Sequence, residues 1–311
     1  MLDPTTLFAY ERDVDSRSVQ ARTLLVTLGA FADSGDIQSM LEQHILATHE
    51  HRLVGTLDAD QLIDYGAIRP QITLDADRLM GYEQPRIELL EVEEDTGPGF
   101  LLLRGPEPSF QWERTAAAIR IVVEQLGVTR TIMVSGFPTA TPHTRPTPIT
   151  TYAAEPSDVT VPAPMPGTIE LRSAFPLLLT TRLAEAGHAA VGLAAHIPSY
   201  AHEVAYAPAL LSMLTSIETE GGPTIEPTEE LEQTAAEVRA KLDEAVADNQ
   251  QLQLMVGEFE KNYTRLDGFR AQLPMSTRPI PGAEDLSDQV EDFLRQISDD
   301  DDDAPSTGPS L

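Results

Sequence analysis

Short apolar runs closed by glycine or proline recur along the first two-thirds of the chain, with amphipathic stretches between them. Residues 24–29, Leu-Leu-Val-Thr-Leu-Gly, are the first clear run. An uninterrupted apolar run of this length, bounded by a turn residue, reads as a strand covered on both faces. Asp33-Ser34-Gly35-Asp36 follows, and then Ile37, Met40, Leu41 and Ile45 recur at helical spacing, with Asp36 placed to cap the helix. The same pattern predicts strands over residues 52–57, 86–92, 100–105, 131–136 and 189–195. It predicts helices over 114–125, 177–185 and 207–217. Residues 1–22 are polar and carry no clear period, and residues 137–176 are proline-rich with a β leaning. Strands alternating with helices imply a mostly parallel sheet with helices on both faces, a three-layer α/β/α sandwich.

The pattern changes after Glu220-Gly221-Gly222-Pro223. Leu231, Ala235, Val238, Leu242, Ala245, Asn249, Leu252, Val256, Phe259, Tyr263 and Leu266 then alternate by four and three residues. Such a stripe predicts a long amphipathic helix, about 54 Å if unbroken, or a helical hairpin broken near Asp248-Asn249. The expected organisation is a core domain over 1–222, this helical appendage over 223–282, and a short helix with an acidic disordered tail over 283–311. Leu286, Val290, Phe293 and Leu294 mark one face of that short helix.

Charge narrows the partners. The 311 residues carry a formal net charge of -29, and residues 284–303 hold ten acidic side chains against one arginine. Phosphate binding needs clustered Lys and Arg, so neither nucleic acid nor an anionic membrane is an expected partner. There is no cysteine, which excludes disulfides, thiolate metal sites and a cysteine nucleophile. Neither a basic start followed by an apolar core nor a run of about 20 apolar residues occurs, and the expected location is the cytoplasm.

The candidate chemistry lies past the ends of the expected strands. In Thr141-Pro142-His143-Thr144-Arg145-Pro146-Thr147-Pro148 the prolines hold the residues before them extended, which puts His143 and Arg145 on one side. Glu107 sits between Pro106 and Pro108, as a general acid or base or as a brace to backbone amides or to Arg145. Trp112, the only tryptophan, reads as a core anchor. Asp33 and Asp36 flank a helix start, where capping accounts for them. Together with His196 and Tyr200 these residues are the candidate crevice. His44, His49 and His51 lack a ligand pair at helical spacing. No Walker-type loop, His-Glu-x-x-His or Gly-x-Ser-x-Gly occurs, and neither metal nor cofactor is expected.

Five motifs in register resemble the proteasome assembly chaperone 2 family in its prokaryotic, actinobacterial-like form. They are residues 24–29 with the Asp33-Ser34-Gly35-Asp36 loop; Asp58-Ala59-Asp60-Gln61 and Asp64-Tyr65 leading to Arg69-Pro70; Gly105-Pro106-Glu107-Pro108 with Trp112; Pro142-His143-Thr144-Arg145-Pro146; and His196-Ile197-Pro198-Ser199-Tyr200. The resemblance implies a purine-nucleoside-phosphorylase-like sandwich, homo-oligomers with a trimer as the expected form, and chaperones that help assemble proteasome rings. The chain departs from the family at Ser173-Ala174-Phe175-Pro176, where many relatives carry a Gly-Pro-x-Gly turn. It departs again at Gly308-Pro309-Ser310-Leu311, where several archaeal relatives carry a hydrophobic-Tyr-x docking signal. The expected function is that of a non-enzymatic, chaperone-like or scaffold protein whose partner is a proteasome or another assembly. The alternative is a binder, hydrolase or phosphorylase-like enzyme for nucleoside-like or acyl small molecules, using the crevice at the strand ends.

Overall fold

A computed structural model describes residues 2–19, 21–29, 33–94, 97–161 and 170–269. The short helix and the acidic run expected beyond residue 283 lie outside the described residues. The strands are β1 (Phe8–Tyr10), β2 (Thr23–Gly29), β3 (His51–Leu57), β4 (Thr73–Asp75), β5 (Arg78–Met80), β6 (Ile87–Val92), β7 (Phe100–Pro106), β8 (Arg130–Thr139), β9 (Ile149–Ala153) and β10 (Ala189–Pro198). The helices are α1 (Ile37–Thr48), α2 (Ala59–Leu62), α3 (Trp112–Leu126), α4 (Phe175–Glu185), α5 (Ala207–Thr219), α6 (Glu229–Asp248) and α7 (Gln250–Phe269). Eight strands form one sheet in the order β1-β3-β6-β7-β2-β8-β10-β9, and β4 and β5 pair with each other alone.

The sheet is mixed, with its parallel part in the middle. Strands β7, β2, β8 and β10 run parallel to one another, while β6 and β9 flank them antiparallel. Side chains leave a strand alternately to its two faces. Leu25, Leu102, Ile132, Val134 and Val191 therefore enter one core, beneath α1 and α5. Leu24, Val26, Leu101, Leu103 and Met133 enter the other, beneath α3 and α4. Because both faces are covered, the central strands are almost wholly apolar, and β2 is buried from Leu24 to Leu28.

Two central strands run past their expected ends. Gly136 reads as a stop in the sequence, yet β8 continues to Thr139. Its glycine serves the loop that crosses it: a Cβ there would lie 2.3 Å from the Ser34 carbonyl oxygen. Asp33 makes an isolated parallel bridge to the same residue.

The stripe of the appendage faces inward. Ala235, Leu242, Ala245, Leu252, Val256 and Phe259 are buried, and the larger ones join the α1–α5 core. It is not one continuous helix. Asn249 has φ -124° and ψ 109°, outside the helical region. Its Oδ1 accepts from the backbone N–H of Gln251 (2.9 Å) and Leu252 (3.2 Å), so it ends one helix and caps the next. An unbroken helix would separate Asp243 and Glu260 by about 25 Å, at roughly 1.5 Å per residue. They bond instead to the adjacent residues His143 and Thr144, so the chain folds back at Asn249.

Replacing this cap gives a direct test of the break. Asn249→Ala should lower stability by about 1 kcal/mol, and Asn249→Ser or Asn249→Asp should retain most of it. The midpoint of urea unfolding measures the difference. Equal midpoints for all four proteins would contradict the capping role.

Candidate functional site

The strand-end loops do meet the rest of the fold, but at separate places rather than in one crevice. The first lies beyond β8. Residues 141–148 form a turn around His143 and Thr144, not the extended run expected from the prolines. His143 therefore turns inward and is 2% exposed, while Arg145 is exposed and makes no hydrogen bond or ion pair among the described residues. The two side chains do not share a side.

His143 is held from two directions. Its ring Nε2 lies 3.1 Å from Asp243 Oδ1 on α6, and its Nδ1 lies 2.6 Å from the Tyr200 hydroxyl. An ionised carboxylate only accepts, so Nε2 carries the proton and donates to Asp243. In the neutral ring Nδ1 is then the acceptor, and Tyr200 donates to it. The Tyr200 oxygen in turn accepts from the His143 backbone N–H at 2.9 Å. Burial pushes the His143 pKa down, with the Asp243 carboxylate opposing, and burial pushes the Tyr200 hydroxyl up. Around this core Tyr200 stacks on Phe259 with ring centroids 6.1 Å apart. Thr144 donates to Glu260 at 2.6 Å, and Tyr263 donates to the Pro146 carbonyl at 3.0 Å. The loop, β10's end and the α6–α7 hairpin are thus tied together.

The second place lies on the opposite face. Glu107 does not pair with Arg145. Its Oε1 accepts from the backbone N–H of Phe175, the first residue of α4, at 2.5 Å. A helix N-terminus is an anion site, and here the chain's own carboxylate fills it. Trp112 is half-buried, its indole N–H donates to the Pro108 carbonyl, and its ring meets Phe175 edge-on at 6.0 Å. His196 is elsewhere again, with Nε2 2.7 Å from the Thr150 hydroxyl oxygen and its ring 4.7 Å from Phe137.

The third place holds Asp33. It caps α1, accepting from the Gln38 N–H at 2.7 Å, and the expected cap Asp36 makes no such bond. Asp36 instead takes a left-handed backbone, with φ 51°, and is exposed. Near Asp33 stands Glu42 on α1, which meets Arg104 on β7 and, through it, Glu88 on β6, three residues that sequence reading missed. Arg104 lies 3.0 Å from Glu88 and 3.7 Å from Glu42. Burial pushes the Asp33 carboxyl up to about 6 and that of Glu42 up to about 7. One signal could have found this cluster. Glu88 is an acid at a core-facing step of the run Ile87-Glu88-Leu89-Leu90, and period two places it with Leu90. Among the described residues no group of His, Asp and Glu is arranged to hold a metal ion, and no helix is long and apolar enough to cross a membrane.

These features define an α/β/α sandwich protein whose strand-end loops are braced internally and tied to a C-terminal helical hairpin. The PAC2 family model matches residues 27–246, and the chain belongs to the PAC2 family. A Mycobacterium tuberculosis protein of unknown function is 28% identical with a TM-score of 0.77, over 87% of this chain and 92% of its own. A Corynebacterium glutamicum protein of unknown function is 27% identical with a TM-score of 0.76, over 83% of this chain and 97% of its own. A Mycobacterium tuberculosis proteasome-assembly chaperone homologue has the same fold at 19% identity, with a TM-score of 0.68 over 75% of this chain and 99% of its own. No curated protein matches the chain.

The brace and the exposed arginine predict different costs. His143→Ala removes a buried ring and two bonds and should destabilise by about 2–4 kcal/mol. Asp243→Asn, on a side chain 67% exposed, should cost under about 1 kcal/mol. Arg145→Ala should stay within about 0.5 kcal/mol of wild type. Urea unfolding at pH 7.5 ranks the three, and an Arg145→Ala cost equal to that of His143→Ala would contradict the geometry.

Glu42 carries a pH signature of opposite sign to that of His143. Its folded pKa is raised from about 4.5 to about 7, so the folded state holds the proton more tightly. Its contribution is fully present below pH 4.5 and is lost as pH rises to 7 and beyond. Glu42→Gln cannot ionise and should be more stable than wild type by about 1–3 kcal/mol at pH 8, with the gain vanishing near pH 4.5. The lowered pKa of His143 acts the other way, removing stability as pH falls below about 6.5. Melting temperatures across pH 4–8 separate the two residues.

Proposed function

We propose that this PAC2 family member is a non-enzymatic, chaperone-like or scaffold protein of the cytoplasm, acting as a homo-oligomer through contacts with a larger protein assembly. One observation carries this reading. Two of the groups singled out for acid–base or anion chemistry are consumed inside the fold: His143 by Tyr200 and Asp243, and Glu107 by the α4 N-terminus. A general acid or base needs a free, reachable proton site, and an anionic substrate needs an open helix N-terminus. Membership of the PAC2 family, and a fold shared with a protein described as a proteasome-assembly chaperone homologue, support a proteasome or a comparable ring as the partner.

A second reading has a specific observation in its favour. Asp33 and Glu42 are neighbouring carboxyls with raised pKa, and Glu42 lies 3.7 Å from Arg104, near the ends of parallel strands, where open α/β sheets bind ligands. A nucleoside-like or acyl molecule is the class that such a site would take.

Two measurements on the full chain separate the readings. In its native cells the tagged protein should elute in stoichiometric complex with subunits of a larger assembly, and 1 mM nucleosides or phosphate should leave its melting temperature unchanged. Elution without such subunits, together with a nucleoside-induced rise of several degrees that is lost in Glu42→Gln, would replace the scaffold reading with the small-molecule one.

A further inference from the structure

The register of the sheet lines up three polar side chains on neighbouring strands. Arg104 on β7 stands opposite Thr27 on β2 and, on its other side, opposite Glu88 on β6. Residues opposite each other share a face of the sheet, and Leu25, Leu90 and Leu102, two residues from these three, lie in the α1–α5 core. The row therefore faces α1. Glu42 meets it from that helix, with the Thr27 hydroxyl as a hydrogen-bond partner. His44, two residues along α1, bonds the Glu226 carbonyl instead.

Arg104 faces two carboxylates with different ends of its guanidinium. Its Nε and Nη2 donate to Glu88 Oε2 at 3.1 and 3.0 Å. Its Nη1 lies 3.7 Å from Glu42 Oε2, close enough to attract but too far for a hydrogen bond. Glu88 has a second cation at hand, since Arg86 Nη1 lies 3.5 Å from its Oε1. The Arg104 side chain is 33% exposed, which leaves it room to turn. A carboxylate forms short, charge-assisted bonds with a guanidinium, whereas a protonated carboxyl attracts it weakly. The open gap therefore fits a Glu42 that holds its proton. Burial keeps that proton in place up to about 7, with Thr27 and Arg104 pulling the other way and Asp33 and Glu88 adding repulsion. Asp33 is lifted less far, to about 6, by burial opposed by the Gln38 N–H that bonds its anion.

We propose that Glu42 is a proton switch: when it ionises, the free end of Arg104 closes on it, and an ion pair within the sheet becomes a tie between β7 and α1. The charged groups that face Glu42 are Asp33 from the β2–α1 loop, Glu88 from β6 and Arg104 from β7. With Arg86 included, two carboxylates balance two guanidiniums until Glu42 adds a third negative charge. Arg104 then spans Glu42 and Glu88, its Nε bond to Glu88 lengthens, and Arg86 takes more of the Glu88 charge. The switch operates under either functional reading, because it needs no ligand. It works near neutral pH, where small changes in acidity alter how much of the chain carries the tie.

Arginine side-chain NMR on the full chain, labelled with nitrogen-15 in arginine alone, reads the Arg104 bond directly. Between pH 5 and pH 9 the Arg104 Nε–H signal, assigned by its loss in Arg104→Lys, should move with a midpoint of about 7. Glu42→Gln imitates the protonated form, so it should abolish the movement and hold the signal at its low-pH position. Glu88→Gln removes the competing acceptor and a repelling charge, so the midpoint should fall by about one unit, a tenfold loss of proton affinity. An Arg104 signal that stays still in the wild type, or that moves equally in Glu42→Gln, overturns the switch. If Glu42→Gln does not fold, Glu88→Gln decides alone, and an unchanged midpoint there overturns the proposal as well.

Discussion

Side chains leave a β-strand alternately to its two faces, and in β2, β8 and β10 neither face is free to meet water. Leu24, Val26 and Met133 fill the core under α3 and α4, while Leu25, Ile132 and Val134 fill the core under α1 and α5. A register slip of one residue in any of these strands would exchange the two sets and leave both cores misfilled. The strands therefore have little freedom in where they end, and the loops beyond them inherit fixed starting points. Thr27, Glu88 and Arg104 stand at neighbouring register positions near the ends of β2, β6 and β7. That is why an ion pair can sit so close to the apolar core without entering it.

How much of this was legible depends on how far apart the interacting residues lie. Two-sided burial writes itself as an apolar run, and so β2, β3, β6, β7, β8 and β10 could be read from the residues. The mixed sheet places β1 and β9 at its edges, and their signals were weak: three residues in β1, and five in β9 among prolines. The β4–β5 hairpin was invisible for a different reason, since its strands of three residues are too short to display a period of two. Gly136 was misread because a glycine marks a turn more often than a crossing loop. Asn249 stood out as the polar member of an apolar stripe, and that is the residue at which the helix breaks.

The candidate residues divide along the same line. His143 and Tyr200 could be singled out as motif members, but Asp243 lies a hundred residues from His143 and has no motif of its own. Glu107 was recognised as conformationally fixed, and of its two expected partners the backbone amide prevailed over Arg145. A helix N-terminus offers oriented N–H groups at no cost in side-chain entropy, whereas an arginine on an exposed turn must be immobilised first. The sheet separates the two as well, so residues that a linear reading gathers into one crevice stand on opposite faces.

The brace around His143 also sets an order of events. Its bonds join residues 100, 116 and 117 positions apart, each reaching forward to α6 or α7. On a growing chain the Pro142–Pro146 turn emerges long before the side chains that close it. At about 5–20 residues per second, that gap leaves the turn and the Tyr200 ring unsealed for on the order of ten seconds. Through that interval the α1–α5 core also lacks Leu242, Leu252, Val256 and Phe259, and it presents an apolar flank to whatever is nearby. Nascent-chain quality control would thus meet an open molecule until its own helical hairpin arrives.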